Sequence, residues 1–126
     1  MEKSKVILIV DDNRNFVDRI KIILEESTNV GEIFSASCYE ETSQLLKDIE
    51  PDIVLLDINM AGKNGIEVLK MIKKTKQNCD VIMITNHAED YYRHQCMELG
   101  ANYFLDKSLD FALVPGIINK CIEKRN

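Results

Sequence analysis

Five side chains able to do chemistry stand where short apolar runs end. Asp11 and Asp12 follow KVILIV (5–10), Asp57 ends DIVLLD (52–57), Thr85 ends DVIMIT (80–85) and Lys107 ends NYFLDK (102–107). Clustered carboxylates repel one another and need a counter-charge. A divalent cation supplies one, and Mg²⁺ takes oxygen ligands from a few carboxylates while keeping bound water. On this reading Asp11, Asp12 and Asp57 form a Mg²⁺ site, helped by a loop carbonyl such as that of Asn59, and Lys107 balances the remaining negative charge. A small anion such as a phosphoryl group, held between Mg²⁺, Lys107 and the Thr85 hydroxyl, would be well stabilised. Taken singly, each residue has an ordinary role: a helix cap or turn former for Asp12, a β-former or cap for Thr85, a solvated side chain for Lys107. Their common placement at strand ends points to a site.

That placement depends on the elements between them. KVILIV, DIVLLD and DVIMIT are continuous apolar runs, the pattern of strands buried on both faces. EIFSAS (32–37), after a break at Gly31, and NYFLDK are two further strands. Amphipathic stretches alternate with them: 13–26 with Phe16, Val17, Ile20, Ile23 and Leu24 at helical spacing, 39–49 up to Pro51, 66–76, 88–99 stopped by Gly100, and a last helix with Pro115 in its first turn. NMAGKNG (59–65) reads as a loop. Five β-α units with short connections predict an α/β fold, a five-stranded parallel sheet with helices on both faces. In such a sheet every strand's carboxyl end points to one edge, where ligands bind.

The remaining features exclude more than they assign. The 126 residues suit one domain, and a net charge of −5 argues against non-specific nucleic-acid binding. No apolar run reaches the roughly 20 residues of a membrane span, and the N-terminal run is too short for a signal peptide. Cys38, Cys79, Cys96 and Cys121 have neither C-x-x-C nor zinc spacing and read as small hydrophobes in a reducing compartment, which predicts a cytoplasmic protein. His87 and His94 read as surface residues, and no glycine-rich nucleotide loop is present.

VDDN (10–13), DIVLLDINM (52–60), NGIEVL (64–69), VIMIT (81–85) and GANYFLDKS (100–108) together resemble the receiver domain of bacterial two-component response regulators, from about Lys5 to the end. The resemblance implies a flavodoxin-like (βα)5 fold with strand order 2-1-3-4-5 over residues 1–126. It implies a switch rather than an enzyme, with Asp57 as phosphoacceptor from a sensor histidine kinase or phosphotransfer protein. Asp11, Asp12, Asp57 and the Asn59 carbonyl would hold Mg²⁺, and Thr85 and Lys107 would bind phosphoryl oxygens. Phe104 matches the switch aromatic, which follows the threonine inward and remodels the face of the fourth helix, fifth strand and fifth helix. The downstream partner would be a protein, met by a monomer or a phosphorylation-dependent dimer, with no direct nucleic acid or membrane contact.

Three residues depart from the family pattern. Ala61 replaces a proline and predicts a less rigid loop. Ser108 replaces the proline after the lysine, which makes a cis bond unfavourable there. Asn86 stands where a small residue is usual, and with Asn59 and His87 it is expected to tune the lifetime of the phosphorylated state. The charged end EKRN and the start at Met1 favour a stand-alone regulator of the chemotaxis kind. Two alternatives stay open. A Mg²⁺-dependent phosphohydrolase with an aspartyl nucleophile would need D-x-D-x-T, where this chain has Asp57-Ile58-Asn59-Met60. A pseudo-receiver would bind partners without phosphorylation.

Overall fold

The computed structural model describes residues 4–27, 29–60, 64–76, 78–86 and 88–125. Five parallel strands, β1 (Lys5–Val10), β2 (Val30–Ala36), β3 (Ile53–Leu56), β4 (Asp80–Thr85) and β5 (Tyr103–Asp106), form one sheet in the order β2-β1-β3-β4-β5. The order and the α/β class are those expected. The three inner strands are the continuous apolar runs, and β3 and β4 are buried at every residue. A strand covered on both faces has no side on which polar residues could alternate. The edge strands β2 and β5 are only partly buried.

Each face of the sheet builds its own core. Helices α1 (Arg14–Glu25) and α5 (Val114–Arg125) cover one face through Phe16, Ile20, Leu24, Ile118 and Ile122, packed on Ile7, Ile9, Leu55 and Ile82. Helices α2 (Tyr39–Asp48), α3 (Gly65–Thr75) and α4 (Asp90–Glu98) cover the other through Leu46, Leu69, Ile72 and Cys96, packed on Leu8, Val54, Leu56 and Met83. Cys79, Cys96 and Cys121 are buried free thiols. Burial pushes Cys96 and Cys121 up to about 11, so they behave as small hydrophobes. No helix among the described residues is long and apolar enough to cross a membrane.

Several boundaries differ from expectation. Gly31 interrupts the ladder without ending the strand: it lies inside β2, which starts at Val30 opposite Lys5, and the register with β1 shifts between Val30 and Ile33. A Cβ on Gly31 would stand 2.7 Å from Ser4 Cβ, so its bareness permits the close approach of the two strands. Gly65 is the first residue of α3 rather than the last of a loop. Asn102 and Lys107 lie outside β5, and the Asn102 side chain accepts instead from Val81 N at 2.9 Å, at the start of β4. Helix α4 begins at Asp90, two residues later than its periodicity suggests. Gly100, at φ +104°, is the left-handed stop expected after it.

Candidate functional site: an acidic cleft at the switch point

Strand order reverses between β1 and β3, and the chain leaves these neighbouring strands at Asp11 and Asp57. Two backbone bonds fix the acids. Asp11 N donates to Ala36 O at 3.0 Å, and Asp57 N donates to Val10 O at 3.0 Å. Both side chains are buried, at 3% and 5% exposure. Asp12 is exposed. The N-cap of α1 is its neighbour Asn13, whose side chain accepts from Phe16 N at 3.1 Å, so capping does not account for Asp12.

Lys107 reaches back from the end of β5 to both buried acids. Its Nζ lies 3.1 Å from Asp57 Oδ2 and 2.8 Å from Asp11 Oδ2. It also sits 4.5 Å above the Phe16 ring, a cation–π contact that supports the ammonium in its buried place. Burial works against the Lys107 ammonium, but the Asp11 and Asp57 carboxylates outweigh it and raise its pKa. At Asp11 burial wins over the help from Lys107 and the Asn13 amide, and Asp57 adds like charge, so its pKa is raised.

The two carboxylates are used differently. Asp57 Oδ1 accepts from Asn59 N at 3.3 Å and its Oδ2 accepts from Lys107. Asp11 Oδ1 accepts from Asn13 N at 2.9 Å. Its Oδ2 is within ion-pair distance of Lys107 but makes no hydrogen bond of acceptable geometry, and it is fully enclosed. A buried carboxylate oxygen without such a bond is costly unless something else supplies it with positive charge. Thr85 is fully buried at the end of β4, and its carbonyl accepts from Lys107 N at 2.9 Å. Asn86 is exposed. A cavity of about 170 Å³ opens between Asp12, Asn13, Asp57, Asn59, Asn86 and Lys107.

Asp11, Asp57, Thr85 and Lys107 are thus brought together, with Asp12, Asn59 and Asn86 around the mouth. Phe104 is buried behind them, at 5% exposure. Among the described residues no three acidic, histidine or cysteine side chains are already arranged as a metal cage. The donor set nevertheless suits Mg²⁺, because that ion needs few protein oxygens and Asp12, Asp57 and Asn59 line the open cavity, with the enclosed Asp11 carboxylate behind them. His94 is exposed and pairs with Glu98 at 2.9 Å, as a surface residue should. Ala61 and His87 lie outside the described residues.

The sequence pattern did not reveal three contributors. Phe16 gave only a helical core signal, yet it floors Lys107. Gly65 N donates to Ile58 O at 2.6 Å, docking α3 against the segment that carries Asp57. Asn64 caps that helix through Ile66 N and Glu67 N. The dipeptide Asn64-Gly65 before a helical run was the available signal for the last two.

The Asp11 carboxyl carries a stability cost that can be measured. Its folded pKa lies above the unfolded value of 3.8, so the folded chain holds this proton to higher pH. The cost is absent below the unfolded pKa, grows as pH rises through the folded one, and is fully present at neutrality. Asp11→Asn is therefore expected to raise the neutral-pH urea midpoint, with the gain vanishing in acid. A lower midpoint at pH 7 would show instead that the Lys107 pair dominates.

Comparison with known proteins agrees with this geometry. The family model described as response regulator receiver domain matches residues 7–119. The sensory transduction protein LytT of Bacillus cereus is 35% identical over 104 residues, covering 82% of this chain and 42% of that protein. The chain spans less than half the length of the curated relatives it matches. The signal receiver domain of a DNA-binding response regulator from Colwellia psychrerythraea superposes with a TM-score of 0.88 at 30% identity, over 95% of this chain and 99% of that one. A CheY-like receiver domain from Methanospirillum hungatei gives 0.86 at 27% identity, over 98% and 100%. The chain belongs to the response regulator receiver domains, the modules phosphorylated on an aspartate in two-component signalling.

Proposed function

We propose that Asp57 is the phosphorylated aspartate of this chain and that residues 1–126 act as one receiver domain. The reading is supported above all by the pairing of buried Asp57 with Lys107 at 3.1 Å beside a cavity open to solvent. An Asp57 oxygen attacks the phosphorus of a phosphohistidine on a sensor kinase or phosphotransfer protein. The P–O bond forms as the P–N bond breaks, and the imidazole leaves with the electron pair. Lys107 stays charged beside the incoming phosphoryl oxygens, and Thr85 at the neighbouring strand end is placed to receive one. Asp11, Asp12, Asp57 and the Asn59 carbonyl would hold Mg²⁺, which when bound neutralises charge on the transferring group. The protein then catalyses only its own phosphorylation and dephosphorylation. It works in the cytoplasm, as a monomer or a phosphorylation-dependent dimer, and signals to a protein partner through α4, β5 and α5.

Acetyl phosphate with Mg²⁺ should add one phosphoryl mass to the intact chain, and EDTA or Asp12→Ala should suppress it. Labelling at the same rate in EDTA, or in Asp12→Ala with excess Mg²⁺, would remove the metal from the reading. Release of inorganic phosphate from small phosphate esters without a labelled protein would favour the phosphohydrolase alternative.

Asn86 lines the mouth of the cavity and is bulkier than the small residue usual there. Water attacking the acyl phosphate must pass it, as must the phosphodonor. Asn86→Ala is expected to accelerate labelling and autodephosphorylation together, by up to about tenfold, a change that needs only ~1.4 kcal/mol of barrier. Acceleration of one without the other would place the effect outside the mouth.

A further inference from the structure

Phe104 is already buried in the unmodified chain, and a side chain outside the acidic cleft holds it. Arg93, on α4, donates from Nη1 to the Phe104 carbonyl at 3.0 Å. Its guanidinium carbon also lies 4.9 Å from the centroid of the Phe104 ring. One planar cation therefore grips both the backbone and the ring of the same residue. β5 is an edge strand, so β4 pairs with only one of its sides. Arg93 supplies a donor that no strand supplies there. Among the described residues it pairs with no carboxylate, which leaves its charge for the ring.

The ring is packed in the core cluster with Met83, Cys96 and Ala101. Met83 is opposite Phe104 in the ladder, and Thr85 lies two residues further along β4. Side chains two apart on a strand share a face, so Thr85 and Phe104 line the same side of the sheet. A phenylalanine has no hydroxyl to return to water, and nothing polar opposes its burial. Arg93 adds a cation–π contact that the ring gives up on leaving.

We propose that Arg93 is a positioning residue that latches Phe104 inward before any phosphoryl group arrives, so that ring burial does not wait for Thr85. The consequence for signalling rests on the phosphoacceptor reading above; the latch itself does not. In two-state terms, Arg93 biases a ring equilibrium that phosphorylation would otherwise have to shift.

Fluorine NMR of the chain carrying 4-fluorophenylalanine at its four phenylalanines tests this. Phe104→Leu identifies the resonance. Population is the readout, because removing a nearby cation shifts the signal in any case. Without phosphodonor, the wild type should show one Phe104 state. Arg93→Ala should show a second or exchange-broadened state, with the outward population raised about two- to fivefold, the scale of one lost cation–π contact at an exposed cation, because the bonded carbonyl belongs to the main chain and does not leave with the ring. Arg93→Lys, which keeps the charge but not the planar fork, should restore part of the inward state. Acetyl phosphate and Mg²⁺ should return Arg93→Ala towards a single state and leave the wild-type ring unchanged. A single Phe104 state in phosphodonor-free Arg93→Ala overturns the latch, whether or not Asp57 takes a label. A wild-type ring population that changes on phosphorylation overturns constitutive burial. A second state in unlabelled Arg93→Ala supports the latch even if Asp57 proves not to be the acceptor.

Discussion

Asp57→Asn should abolish phosphoryl labelling while leaving the fold in place. The amide has nearly the shape of the carboxylate but lacks the anionic oxygen that attacks phosphorus, so the loss should exceed about a hundredfold. The structural cost can be reasoned from its partners. Asp57 accepts two hydrogen bonds, from Asn59 N and from Lys107 Nζ. An amide offers one oxygen and two donors, so it cannot accept both bonds in the present geometry. Lys107 keeps Asp11 at 2.8 Å, which limits the damage to about 1–2 kcal/mol, the value of one charged hydrogen bond. Intact mass after acetyl phosphate and Mg²⁺, with urea unfolding alongside, checks both parts. A labelled Asp57→Asn chain would move the acceptor to another residue.

The largest expected loss of stability comes from adding a single methyl group. A Cβ on Gly65 would stand 1.8 Å from Asp57 O, and 2.7 Å from both Asp57 C and Ile58 Cα. All three are backbone atoms, so no side-chain rotation relieves the clash. Either α3 backs away from the sheet or the Asp57 segment moves. Gly65→Ala should cost about 3 kcal/mol or more, above the usual range for overpacking because the clash is with main chain. It should also slow phosphorylation, since a displacement of about 1 Å at the nucleophile can cost on the order of a hundredfold. Intrinsic propensity gives the opposite sign, because alanine in a helix is better than glycine by about 1 kcal/mol. Gly116 in α5 supplies the control: nothing lies within 4 Å of its would-be Cβ. Gly116→Ala should stabilise by about 0.5–1 kcal/mol. Equal and favourable effects at the two glycines, measured by urea unfolding, would mean that α3 does not dock on Asp57 as described.

The strand and helix succession, the fold class and the five polar residues at the site edge were readable from the sequence because each rests on a local or periodic signal. A run such as IVLL (53–56) is apolar at every residue only where helices cover both faces of the strand, and the Asp57 that follows it emerges at the carboxyl edge. The pairing of Lys107 with Asp11 and Asp57 followed from charge and placement. Other features depended on contacts between distant segments. The bareness required at Gly65 comes from the Asp57 carbonyl, which a pattern of turn residues does not reveal. β2 continues past Gly31 because regular pairing with β1 resumes at Ile33; the glycine leaves a shift in the register rather than an end to the strand. Phe16, under Lys107, carries only a helical core signal in the sequence, and Arg93, across Phe104, carries none. Their roles arise only when Lys107 reaches back over the Phe16 ring of α1 and α4 packs beside β5, since periodicity tells which face of a helix is buried and not which side chain it meets there.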